Sequence, residues 1–207
     1  MKNLFNIYLI GFGILITGCG GSNTAKTSSY SATFIDSKVA GISYKCNNIN
    51  KKTDSNGKFT CPIGSQVTFK LGDLKLMTIS PKDGKFKKNS KGEYALFVKD
   101  AVPENTAKKI AAILLTLDSD GNPDNGITLP KKSDKIINEV IPDTKDINKV
   151  DVDEKVSEIA NKAIEITGKD TFVIKTTEDA ENHLEKEEEI VKKEYPQQVI
   201  KITGAEN

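Results

Sequence analysis

The hydrophobic pattern of this chain changes period once, near residue 100, and that change limits what the chain can fold into. From Tyr30 onward, short apolar runs over 31–36, 39–46, 57–63, 65–72, 74–80 and 93–99 alternate with turn residues, as half-buried strands do. Beyond residue 101 the apolar spacing becomes three and four. Asn105 can cap a helix carrying Ala107, Ile110, Ala111, Ile113, Leu114 and Leu117 on one broad face. A second helix is predicted over about 153–167, with Val156, Ile159, Ala160, Ala163 and Ile164 inward and Gly168 as its stop. A third begins near Thr177 and runs through Ala180, Leu184 and Val191, but 185–189 is nearly all charge, which predicts a surface helix. The fold class expected is α+β, a small antiparallel β-sandwich or half-barrel over 30–100 followed by a three-helix segment over 101–195 packed on it. Residues 196–207 read as a tail.

Residues 1–18 have a different character. A charged start at Lys2 precedes thirteen apolar residues, 4–16, too few to span a hydrocarbon core of about 30 Å at about 1.5 Å per residue. This is the build of a secretory signal peptide. The run ends in Ile16, Thr17, Gly18 and Cys19, which resembles the lipobox of bacterial lipoproteins. The resemblance implies cleavage before Cys19, acylation of its thiol and amine, and a membrane as partner through that lipid anchor, because two acyl chains hold where one is marginal. It also implies a cell-envelope location, with Gly20 after the acylated residue favouring the outer membrane in a diderm host. The Gly/Ser/Thr-rich stretch 19–29 then serves as a flexible tether.

With Cys19 acylated, Cys46 and Cys61 are the remaining thiols, and an oxidising compartment predicts a disulfide between them. Asn56-Gly57, lying between them, is read as a tight hairpin turn. The lysines in and beside 80–93 (Lys75, Lys82, Lys85, Lys87, Lys88 and Lys91) are read as decorating an exposed edge hairpin, where they discourage edge-to-edge pairing.

The chain's 30 basic residues nearly balance its 29 acidic ones, and all of the basic ones are Lys, so no net field draws it to nucleic acid or anionic lipid and no Arg fork reads phosphates. The absence of Trp and Arg leaves a tight partner surface to five Tyr and eight Phe. The lone His183 is read as a surface residue of the third helix.

The segment with the most chemistry is 117–127. Asp118, Asp120, Asn122 and Asp124 place side-chain oxygens at every second position of a Gly-containing loop, an arrangement a hard cation such as Ca²⁺ selects. The order resembles the first half of an EF-hand loop, but Leu129 stands where a bidentate Glu belongs and Pro123 interrupts the loop. Asp151, Asp153 or Glu154 could complete a sphere; the alternative is an Asx turn that holds no ion.

Residues 39–44, 53–60, 64–73, 112–127 and 177–184 together resemble an extracellular module of bacterial secreted and surface-anchored proteins, and the β half is similar to carboxypeptidase-regulatory-like, prealbumin-type sandwiches through its Thr53-Asp54-x-x-Gly57-x-Phe59 turn. Stretch 80–93 departs from that pattern. The resemblance implies an architecture and a compartment rather than an activity. The expected function is a non-enzymatic envelope or surface interaction module, adhesive or structural, with a protein or glycan partner. The alternatives are a carboxylate hydrolase using Asp118 and Asp120, or an accessory subunit of an envelope complex.

Overall fold

The computed structural model describes residues 28–202 and gives an α+β fold, a sandwich-like pair of sheets followed by helices. One sheet is formed by β1 (Ser29–Ile35), β5 (Lys58–Pro62), β8 (Phe86–Lys88), β9 (Tyr94–Phe97) and β11 (Gln197–Val199), in the order β11-β8-β9-β1-β5. The other holds β3 (Ser43–Cys46), β4 (Ile49–Lys52), β6 (Val67–Leu71) and β7 (Leu74–Ile79), in the order β4-β3-β6-β7. A short parallel pair joins β2 (Val39–Ala40) to β10 (Ile127–Thr128).

Aromatic side chains fill the space between the two sheets. Phe34 of β1 lies against Phe69 of β6 with ring centroids 4.7 Å apart, and Phe59 of β5 meets the same ring edge-on at 5.0 Å. These side chains come from alternate positions of their strands, so one period-two pattern supplies the inner face of each sheet. The Cys46–Cys61 disulfide joins β3 to β5 and therefore staples one sheet to the other, with its Cα atoms 5.8 Å apart.

The Asn56-Gly57 turn forms, but it is not a hairpin. Strand β4 pairs with β3 and strand β5 with β1, so the turn carries the chain from one sheet to the other. Asp54 shapes it by accepting the Asn56 and Lys58 amides on one oxygen at 2.8 and 2.9 Å. Gly57 has φ of +71°, and a Cβ there would sit 3.0 Å from the Val39 nitrogen. Buried Thr53 links the same region by donating to the Val39 carbonyl at 2.6 Å and accepting the Ile42 amide. The two-residue hairpins of this half are instead at Asn47-Asn48, between Cys46 and Ile49, and at Gly72-Asp73, between Leu71 and Leu74.

Two further strand placements differ from the sequence reading. Segment 197–199 pairs antiparallel with β8, so the expected tail carries an outer strand, and β8 is interior to its sheet rather than an edge. Strand β9 pairs parallel to β1, which is why its residues Ala95, Leu96 and Phe97 are all fully buried instead of alternating.

The helices are α1 (Val98–Ala101), α2 (Glu104–Thr116), α3 (Ser133–Val140), α4 (Val152–Thr167) and α5 (Thr177–Glu194). Helix α2 packs against both α4 and α5, and every residue from Ile110 to Leu117 is buried, so it is a central helix rather than one with a single apolar face. Gly168 ends α4 in the left-handed conformation, as expected. Helix α3 has no counterpart in the sequence reading, because its eight residues carry too short a periodic run. It is held by Asp134, whose carboxylate accepts the Gly72 amide and the Ser43 hydroxyl and pairs with Lys52 at 2.7 Å. Gly72 makes this approach possible, since a Cβ there would run into Asn138 and the Asp134 carbonyl.

Closure of a loop of about fifteen residues predicts that the Cys46→Ala/Cys61→Ala variant loses about 3 kcal/mol of unfolding free energy. Urea unfolding with and without reductant checks this: reduction should lower the wild-type midpoint and leave that of the variant unchanged.

Candidate functional site

Helix α2 ends at Thr116, and the acidic loop runs from there to β10. Asp118 is 2% exposed, and its Oδ1 accepts the Thr128 amide at 3.0 Å. Among the described residues no donor meets its Oδ2 within hydrogen-bond geometry, and the groups closest to the carboxyl are the Asp120 carboxyl, itself an acceptor when ionised, and the Asn122 amide. Burial pushes the Asp118 carboxyl up, against the pull of the Thr128 amide, and the charge of Asp120 adds to the rise. Asp120 is held below the usual carboxylate range by the Asn125 side chain, donating at 2.9 Å, and by the Asn122 amide at 3.0 Å.

Of the residues singled out for a cation, the structure brings Asp118 and Asp120 together and turns the other two elsewhere. The Asn122 side-chain oxygen accepts the Asp124 amide, and Asp124 pairs with Lys186 of α5 at 2.6 Å, which lowers its pKa. The Lys169 ammonium reaches the Ser119 carbonyl. Asp151 and Asp153 do not complete a sphere around this loop. They line a separate cleft beside Asn105 and Lys108, in the first turns of α2, while Asp118 follows its last turn, about 15–20 Å along the axis. Among the described residues no three His, Cys, Asp or Glu side chains are gathered so as to hold a metal ion. Cys19, the predicted lipidation site, lies outside the described residues.

His183 is not a surface residue. Its side chain is 9% exposed and its Nε2 lies 3.3 Å from Oδ1 of Asp36, a carboxylate with no exposure at the end of β1. Among the described residues no other donor reaches either Asp36 oxygen. Beside this pair the Ser37 hydroxyl donates at 3.1 Å to Glu187, which is also buried. The buried side chains of α5 recur as Ala180, Leu184, Glu187 and Val191, so Glu187 sits on the inward stripe and His183 borders it. That stripe was the available sequence signal, a charge on the helical period, but the run of glutamates around it concealed the position. Asp36 gave a weaker signal, as a carboxylate ending an apolar strand.

Chemically, the arrangement is a latch between β1 and α5. The Ser37 hydroxyl is committed to Glu187 rather than to the imidazole. Burial acts to lower the His183 pKa, but contact with Asp36, with the charge of Glu187 behind it, outweighs burial and the net shift is upward. Burial dominates at Asp36 and raises its carboxyl, with His183 pulling the other way.

Comparison with known protein families, curated proteins and solved structures gives no match for this chain.

Both members of the pair hold a proton more tightly folded than unfolded. The stabilisation from His183 is therefore complete below its unfolded value, about 6.5, and is lost as pH rises through the higher folded value. Lys186, Glu187 and Asp124 face the same region, and of these Asp124 is already held low by Lys186. The melting temperature should accordingly fall between pH 6 and pH 9, and the fall should be absent in Asp36→Asn/His183→Gln, as scanning calorimetry across pH would show. His183→Ala alone, which leaves a buried carboxylate unpaired, should cost about 3 kcal/mol in urea unfolding.

Proposed function

We propose that this chain is a lipid-anchored module of the bacterial cell envelope that presents a disulfide-stapled α+β body to a protein or glycan partner and carries out no catalysis itself. The observation that carries the proposal is the disulfide between β3 and β5, because such a bond persists in compartments outside the reducing cytoplasm. It agrees with the export signal and acylation motif read from 1–19. Gly20 favours the outer membrane where the host has one.

A hydrolase reading is less well supported. Paired carboxylates in glycosidases stand about 5 Å or more apart so that a sugar fits between them, whereas Asp118 and Asp120 are within hydrogen-bonding reach of each other. A second reading, cation binding at that loop, is favoured by the Asp118 Oδ2, which is buried against another carboxyl with no hydrogen-bond donor among the described residues. Binding of Ca²⁺ there would ask Asp124 to leave Lys186 or the shell to be completed by water.

Radiolabelled palmitate supplied to bacteria expressing the full chain should enter the protein, and Cys19→Ser should abolish labelling; label persisting in that variant would remove the anchor from this proposal. For the loop, Ca²⁺ at a hundred times its dissociation constant should add about 2.7 kcal/mol of stability, seen as a higher melting temperature in wild type and not in Asp118→Asn. An unchanged melting temperature at several millimolar Ca²⁺ would leave the loop an Asx turn that holds no ion.

A further inference from the structure

The face at which the described chain enters β1 carries an open groove of about 480 Å³, lined in part by Ser29, Ser31, Lys58, Lys88, Lys91 and Glu93. Ile202, the last described residue, lines the same groove, and its amide bonds the Pro81 carbonyl at 3.0 Å, which brings Lys201 beside Lys82. Lys58, Lys88 and Lys91 line the groove, and the Ile202 amide on Pro81 and the Gln198 side chain on Gly84 lay the turn that carries Lys82 and Lys85 along the segment that carries Lys201. Lys82, Lys85, Lys91 and Lys201 make no ion pair among the described residues, and the Lys88 ammonium lies over the Tyr94 ring. The groove takes one carboxylate, Glu93, in an exposed pair with Lys58 at 3.7 Å. Asp83, nearby in sequence, is used on the Ser80 amide.

Edge protection does not explain the lysines of β8 and its flanking loops. β8 lies between β9 and β11, so its backbone groups are paired on both sides and need no charged guard. The chain as a whole is almost neutral, at +1, so the concentration is local. Nine peptide links separate Cys19 from Ser28, which at about 3.5 Å each can span at most about 30 Å. An acylated Cys19 would thus leave this face, where the described chain begins, within reach of the headgroups. Lysine ammoniums on flexible stems suit a field of phosphates without fixed geometry, a task that does not need the Arg fork this chain lacks.

We propose that this lysine face is a docking surface for an anionic phospholipid bilayer, which orients the anchored body so that the groove faces the membrane. The inference rests on the lipid anchor proposed above.

The test is to reconstitute the full lipidated protein into vesicles of phosphatidylcholine alone or with phosphatidylglycerol, and to label amines with a soluble acylating reagent, read lysine by lysine by mass spectrometry. Lys82, Lys85, Lys91 and Lys201 should label about threefold less or lower still in the anionic vesicles. Lys155 on α4 should be unchanged, and 0.5 M salt should restore labelling as the Debye length shrinks. A Lys82→Glu/Lys85→Glu/Lys91→Glu variant should lose the protection of Lys201. Flotation with both vesicle types but equal labelling in the two would overturn the docking surface and leave the anchor standing. Flotation with anionic vesicles alone would support the surface and count against the anchor, and flotation with neither would remove both.

Discussion

Strand β1 is the piece on which the rest of this molecule depends, because it is paired on both sides and in opposite senses. Its antiparallel ladder to β5 closes the sandwich, and its parallel ladder to β9 fixes the start of the helical half. A parallel neighbour cannot be reached by a hairpin, so the whole second sheet and the turns around it lie in the connection between them. Burial follows from this position. Tyr30, Ala32 and Phe34 enter the core between the sheets, and Thr33 and Ile35 on the opposite face are buried as well. A polar residue at 34 would therefore disturb the contact with Phe69 and the register with Leu96 together.

At its far end β1 delivers Asp36 to α5, and the pairing with His183 there is costly in isolation. Two ionisable groups are taken out of water for one contact at 3.3 Å, and replacement by well-packed apolar side chains is often neutral or better in such places. What the contact supplies is a position. Helix α5 is rich in glutamate and lysine and has a narrow apolar stripe, Ala180, Leu184 and Val191, that would tolerate sliding along α2. A single imidazole meeting a single carboxylate, flanked by Ser37 on Glu187 and Lys186 on Asp124, sets one rotation and one translation. The capping box at Thr176 and Asp179 fixes where the helix starts.

How much of this was legible in the sequence depends on the range over which each signal acts. Local signals read well: the alternation over β5 and β6, the left-handed stop at Gly168 and the pairing of Cys46 with Cys61 all appear where expected. Signals whose meaning depends on distant partners did not. Asn56-Gly57 is a tight turn, but whether its flanking strands pair with each other is decided by the inter-sheet core and not by the dipeptide. Residues 197–199 have little strand character of their own and become β11 because β8 offers an open edge. His183 looks like a surface residue until Asp36, far away in sequence, is placed opposite it. In the acidic loop the alternating oxygens were visible, but Lys186 comes from elsewhere in the chain and takes Asp124, and the Asn122 oxygen is turned to the Asp124 amide.

The two ends of β1 also give the molecule a polarity that composition hides. A strand of seven residues covers about 23 Å, and the lysine-lined groove begins at Ser29 while Asp36, His183 and the acidic loop cluster past Ile35. The near cancellation of 30 positive and 29 negative charges thus hides a lysine-lined groove at one end of β1 and the carboxylates Asp36, Glu187, Asp118 and Asp120 toward the other. Two such clusters about two Debye lengths apart are felt separately by a charged surface even when the net charge is close to zero, so local placement rather than the sum decides what each end of β1 attracts.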